Sequence, residues 1–101
     1  MCQVIISETF KIWLRELRDN IGKANILRRI SRAEKGNLGD YKPVRGKIFE
    51  FRIDVGPGYR LYFAFKKKKI ILLLYGGNKS NQNSDITRAE RLLNEWEANN
   101  E

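Results

Sequence analysis

The chain has no histidine and a single cysteine, Cys2, among its 101 residues. Without histidine there is no Ser-His-Asp or Cys-His arrangement, no imidazole general base and no His-ligated metal centre. One thiol forms neither an internal disulfide nor a metal-binding cysteine cluster, so no cofactor is expected, and the usage fits a reducing, cytoplasmic setting. No apolar run approaches the roughly 18 residues of a membrane span. The opening stretch MCQVIISETF is too short and too weakly basic to read as a signal peptide. Acidic residues are also in the minority, 12 against 20 Lys and Arg, leaving a net charge of +8. That excess points to an anionic partner: nucleic acid, an acidic protein or a membrane surface.

What is present suffices for a core. Hydrophobic residues make up 42% of the chain and aromatic residues 11%, which is globular composition, and the length fits one domain over 1–101. Gln3–Ile6 is β-prone. Ser7 is a natural N-cap, with Glu8 in the first turn where the helix dipole favours an anion. Phe10, Trp13, Leu14 and Leu17 then recur at helical spacing, predicting a helix over about 8–20. Asn20–Gly22 breaks it. A second helix is expected over about 22–35, with Ile26, Leu27, Ile30 and Ala33 on its apolar face and Lys23, Arg28, Arg29, Arg32 and Lys35 largely opposite. The short link implies an antiparallel helical hairpin. Residues 37–44 carry turn chemistry and read as a loop.

Strands follow at about 46–54 and 59–65, joined by a turn at 55–58. In the first, Lys47, Phe49, Phe51 and Ile53 alternate with Ile48, Glu50, Arg52 and Asp54; in the second, Tyr59, Leu61, Phe63 and Phe65 alternate with Arg60, Tyr62 and Ala64. Lys66–Lys69 is a charged hairpin tip. Ile70–Tyr75 is apolar throughout, as in a central strand covered on both sides, and Gly76–Lys79 ends it. A last helix, with Ile86, Ala89, Leu93 and Trp96 in its stripe, starts near Ser84 or Asp85 and runs to about 97. Trp13 and Trp96 belong to the core. The expected order is β-αα-βββ-α: an α+β domain with a helical hairpin on one face of a twisted antiparallel sheet and a C-terminal helix.

If the strands at 46–54 and 59–65 pair across the Gly-Pro-Gly turn, Glu50, Arg52, Arg60 and Tyr62 share a face. Arginine offers a planar fork of donors to phosphate oxygens, so this face suits a phosphodiester; it also reads as an ordinary solvated face with cross-strand ion pairs. RNA carries its own nucleophile, the 2′-OH. Cleavage therefore needs only positioning of that hydroxyl and stabilisation of the charge developing on phosphorus. Glu50 is one candidate general base; a Lys or Tyr of depressed pKa is another. Lys79, after the paired glycines, is placed as a phosphate point charge beside Asn78, and Lys42 and Lys47 flank the face. The basic face of the second helix and Lys66–Lys69 read either as grips for a nucleic-acid backbone or as solvated surfaces.

The segments FKIWLRELRD (10–19), FRIDVGPGYRLYF (51–63) and LLLYGGNKSNQNSDI (72–86) together resemble the RelE/ParE toxin superfamily. The likeness is to its HigB-like branch of phage-related addiction-module killer proteins. That branch shows R-I-D-x-G-P-G-Y-R-V-Y-F, L-L-x-G-G-x-K-x-x-Q and G-N-x-G-D-x-K stretches, which read here as Arg52–Phe63, Leu73–Gln82 and Gly36–Lys42. The resemblance implies the fold already expected and the toxin of a type II toxin–antitoxin pair. RelE-like members are metal-independent mRNA endonucleases acting on the ribosome, and members are neutralised by a cognate antitoxin, here expected to be a small helix-turn-helix protein or one with an acidic segment. Arg60 matches the arginine of the G-Y-R motif that binds the scissile phosphate. Arg52 and Lys79 fall where the family carries basic residues, and Glu50 replaces another such residue. The catalytic tyrosine near the C-terminus of some members has no counterpart; Ile86 falls about there. The alternatives within the superfamily are a ParE-like gyrase inhibitor without enzymatic activity and an inactive binding module.

Overall fold

A computed structural model describes residues 2–100. The chain runs β1 (Gln3–Ile6), α1 (Glu8–Glu16), α2 (Asn20–Glu34), β2 (Tyr41–Arg45), β3 (Ile48–Ile53), β4 (Tyr59–Lys67), β5 (Ile70–Asn78), a 3₁₀ turn (Lys79–Asn81) and α3 (Gln82–Asn100). The strands form one sheet in the order β1-β5-β4-β3-β2. β1 lies parallel to β5, with Gln3 opposite Ile70 and Ile6 opposite Leu73; the other pairs are antiparallel.

Local chemistry explains most boundaries. Ser7 caps α1 as expected: its Oγ accepts from Phe10 N at 3.0 Å and donates to Leu74 O at 2.7 Å, tying helix and sheet together. α1 stops earlier than its hydrophobic period suggested. Leu17 is already extended, and Asp19 caps α2 by accepting from the Gly22 N–H at 3.0 Å. Gly22 therefore sits inside the first turn of α2 rather than between helices. Its bareness serves packing, because a Cβ there would stand 2.6 Å from the Tyr59 ring.

The region expected as a loop over 37–44 contains β2. Pro43 had argued against a strand, but β2 is the sheet edge, where a missing N–H is tolerated, and the ladder shifts register between Pro43 and Arg45. β5 also continues through Gly76, Gly77 and Asn78, which pair with Leu61, Arg60 and Tyr59. Each strand glycine makes room for a side chain on one face: a Cβ at Gly76 would collide with the Trp13 indole, and one at Gly77 with the Asp85 carboxylate.

The sheet is covered on both sides. Phe10 of α1 and Ile26, Ile30 and Ala33 of α2 pack on Phe51, Leu61, Phe63, Ile71 and Leu73. On the opposite face Ile86, Ala89 and Leu93 of α3 pack on Ile48, Tyr62, Ala64, Leu72 and Leu74. Trp13 and Trp96 lie half-buried against the two clusters, as expected of core residues. Leu27, expected on the apolar face of α2, instead points to solvent at 51% exposure. None of the described helices is long and apolar enough to cross a membrane.

Candidate functional site

The strand parity places four of the sequence candidates together. Glu50 faces Tyr62 across the β3–β4 ladder, and Arg52 faces Arg60. Lys42 on β2 is opposite Glu50, and Gly77 on β5 is opposite Arg60. The result is not an open polar face. α3 crosses it, leaving Glu50 1% and Arg60 5% exposed and enclosing Tyr62 fully.

Burial of two charged groups requires mutual compensation. Glu50 Oε2 lies 3.8 Å from both Arg60 Nε and Lys42 Nζ, while Oε1 accepts from Gln82 Nε2 at 3.2 Å. Arg60 Nη1 donates to the Tyr59 carbonyl at 3.0 Å and lies 3.7 Å from Asp54 Oδ1. The guanidinium is thus held by a hydrogen bond at Nη1 alone; Nε is buried without a hydrogen-bond partner, and Nη2 makes no bond to the described residues. Lys79 closes the same corner. Its backbone N–H donates to Gly58 O at 3.0 Å. A Cβ at Gly58 would stand 3.5 Å from Lys79 Cδ and 3.7 Å from Arg60 Nη1. Gly58 takes φ +81°, a conformation that suits glycine. The Lys79 stem and the Arg60 guanidinium therefore both lie against Gly58 of the Gly-Pro-Gly turn.

The other sequence candidates are placed differently. Asn78 caps the 3₁₀ turn, its Oδ1 accepting from Ser80 N at 3.0 Å. Lys47 is 76% exposed and pairs with Glu97 at 3.7 Å. It belongs to the far end of α3, with Lys66, which meets the same carboxylate at 2.5 Å. Arg52 is half-buried, its Nε enclosed without a hydrogen-bond partner. It lines a cleft shared with Arg28, Arg29 and Arg32 of α2.

Two site residues escaped the sequence reading. Gln82 binds Glu50; it closes the L-L-x-G-G-x-K-x-x-Q stretch, and that was the available signal. Asp85 was read as a helix start, yet its carboxylate rests on Gly77, beside Arg60. Burial raises the Asp85 pKa. The Tyr62 phenol is also pushed up, first by burial and then by the Glu50 and Asp85 carboxylates, with Arg60 and Gln82 opposing. Tyr62 therefore stays protonated at neutral pH. Among the described residues no group of His, Cys, Asp and Glu is assembled to hold a metal ion.

This architecture is that of the RelE-like toxins. The free RelE toxin of Escherichia coli, as a double arginine-to-alanine mutant, superposes with a TM-score of 0.61 at 14% identity, covering 86% of this chain and 96% of that one. A copper-bound mutant toxin from Helicobacter pylori gives 0.52 at 19% identity, covering 80% and 98%. Residues 12–94 match the family described as phage derived protein Gp49-like (DUF891), and the chain belongs to that family. An uncharacterized protein of Haemophilus influenzae is 44% identical over 93 residues, spanning 92% of this chain and 94% of its own length.

Proposed function

We propose that the protein is the toxin of a toxin–antitoxin pair and acts as a ribosome-associated mRNA endonuclease. The observation that carries this reading is the buried Arg60 guanidinium, bonded to the Tyr59 carbonyl and 3.8 Å from Glu50, with the Lys79 stem against the same glycine turn. A preorganised guanidinium beside an ammonium is what a phosphorane needs, since donors already in place do not reorganise as charge develops. In this scheme the substrate 2′-OH attacks the adjacent phosphorus, the P–O5′ bond breaks to leave a 2′,3′-cyclic phosphate, and the departing 5′-oxygen takes a proton from water. Arg60 and Lys79 hold the non-bridging oxygens, and Arg52 and Lys42 add positive charge at the flanks. Glu50 Oε1 is taken by Gln82, while Oε2 has no hydrogen-bond partner and faces Arg60 and Lys42 at 3.8 Å, so Glu50 serves as the counter-ion of Arg60 and stays a candidate base. Asp85, whose carboxylate lies on Gly77, the ladder partner of Arg60, is a second candidate to accept the 2′-OH proton, and burial raises its pKa. A cognate antitoxin would keep this corner idle.

Purified protein added to programmed ribosomes is expected to cut mRNA at discrete positions, and Arg60→Ala to lose cleavage by about 100-fold or more. Intact mRNA at growth-arresting protein levels, together with lost gyrase supercoiling, would overturn the proposal in favour of a ParE-like inhibitor.

A further inference from the structure

The cleft between α2 and the end of β3, which Arg52 reaches with its backbone carbonyl, is a second cationic site on the α2 side of the molecule. Asn25, Arg28, Arg29 and Arg32 fall at i, i+3, i+4 and i+7, one stripe of α2. They face the end of β3 across a space of about 250 Å³. Arg29 is built into it. Nε donates to Leu38 O at 3.2 Å and Nη1 to Arg52 O at 2.9 Å; Nη2 donates to Asp40 O. Its guanidinium also lies 5.3 Å from the Phe51 ring centre. Three of the five guanidinium N–H groups are therefore committed and two remain. Gly39, at φ +65°, leaves room for this: a Cβ there would stand 2.9 Å from Arg29 Nε.

Arg28 and Arg32 are exposed, and neither lies within 4.0 Å of a carboxylate among the described residues. Asp54 is the one carboxylate lining the cleft. Arginines gathered this way repel one another unless an anion joins them. Their planar forks match tetrahedral oxyanions better than point charges do. The lining has little apolar surface beyond Ile53 and Val55. An acidic protein segment would look for apolar anchors at such a spot; a phosphodiester needs none.

We propose that this cleft binds a backbone phosphate of single-stranded nucleic acid, clamping the strand on the α2 side of Asp54, whose carboxylate also meets Arg60 at 3.7 Å. The inference rests on the reading of the protein as one that acts on RNA, and it adds where a second phosphate of that RNA is held. The test uses a fluorescent single-stranded RNA with a 2′-O-methyl group at every nucleotide, which cannot be cleaved through the 2′-OH. Its affinity is followed by anisotropy over a range of salt concentrations. The double variant Arg28→Gln/Arg32→Gln is expected to bind about tenfold more weakly. Its salt slope should fall by about 0.7, the value for one lost single-strand phosphate contact. Lys67→Gln/Lys68→Gln, on the β4–β5 hairpin, makes the same change in net charge and is expected to lose less than about twofold. Arg28→Lys/Arg32→Lys should keep most of the slope and still lose affinity. Equal losses in the two glutamine variants would overturn the proposal, leaving only diffuse charge. Unchanged RNA binding with weakened binding of a polyglutamate peptide would overturn it in favour of a protein-docking site. Because the probe cannot be cut, failure of the wild-type protein to cleave mRNA on ribosomes is a separate result that bears on the endonuclease reading alone.

Discussion

Tyr59 shows how much one side chain can tie together. It sits at the start of β4, 4% exposed, and its hydroxyl donates to Asp19 Oδ2 at 2.8 Å. Asp19 in turn caps α2. Its carboxyl is held below its ordinary range, first by the Gly22 N–H and then by Tyr59. Tyr59 itself is pushed up to about 12 by burial and by its bond to Asp19. Tyr59→Phe is expected to cost about 1 kcal/mol in denaturant unfolding at neutral pH, the usual worth of a lost hydrogen bond. The pH sign follows from the lowered Asp19 pKa. Its stabilising contribution is complete above its unfolded pKa, near 4, and is lost as pH falls through the lower folded value. The gap between wild type and Tyr59→Phe should therefore narrow on acidification; a constant gap would remove the linkage to Asp19.

Among elements, β5 carries the most demanding packing. Gly76 receives Trp13 from one side of the sheet and Gly77 receives Asp85 from the other. Gly77→Ala is expected to destabilise by about 2 kcal/mol through overpacking. In an Asp85→Ala background most of that loss should disappear, because the colliding carboxylate is gone. An undiminished loss in the double variant would contradict this packing. These glycines also mark what could be read in advance. Alternation along 48–53 and 59–65 was enough to set Glu50 against Tyr62 and Arg52 against Arg60, because a two-residue period leaves one register that buries the phenylalanines. The extension of β5 was not legible. Gly-Gly reads as a stop when nothing says that an indole and a carboxylate, distant in sequence, require bare backbone. β2 was hidden for a related reason, since Pro43 forbids a central strand but not an edge one. The burial of Glu50 and Arg60 was likewise invisible, because it depends on where α3 lies, and helical period does not specify that.

At the scale of the whole molecule, the +8 charge is unevenly shared. Lys47 and Lys66 share the single carboxylate of Glu97, and Arg45 pairs with Glu90 at 3.1 Å. Arg28 and Arg32 lack such partners, and Lys79 stands exposed at the candidate site. In the toxin reading proposed above, the long-range field of these charges would steer an acidic antitoxin towards the protein without fixing where it docks. Its association rate with the protein should fall about tenfold or more from low to high salt, measured by stopped-flow, while the dissociation rate changes less. A salt-independent association rate would rule out steering by this charge. How far the anionic partner could be named in advance was bounded by the same physics, because net charge attracts RNA and acidic protein alike.

The parallel pairing of β1 with β5 has a consequence for the order in which the molecule assembles during synthesis. β2, β3 and β4 are neighbours in sequence and can pair as they emerge. β1 comes out first, yet its partner is a strand some seventy residues downstream: Ser7 is tied to Leu74, a separation of 67. The α1–α2 unit therefore waits beside an unfinished sheet until β5 is made, and such long-range closure is slow. Arg60 acquires Gly77 and Lys79 as neighbours, and Glu50 acquires Gln82, only at that late step, so the corner proposed to meet phosphate takes shape only once β5 and the start of α3 have been made.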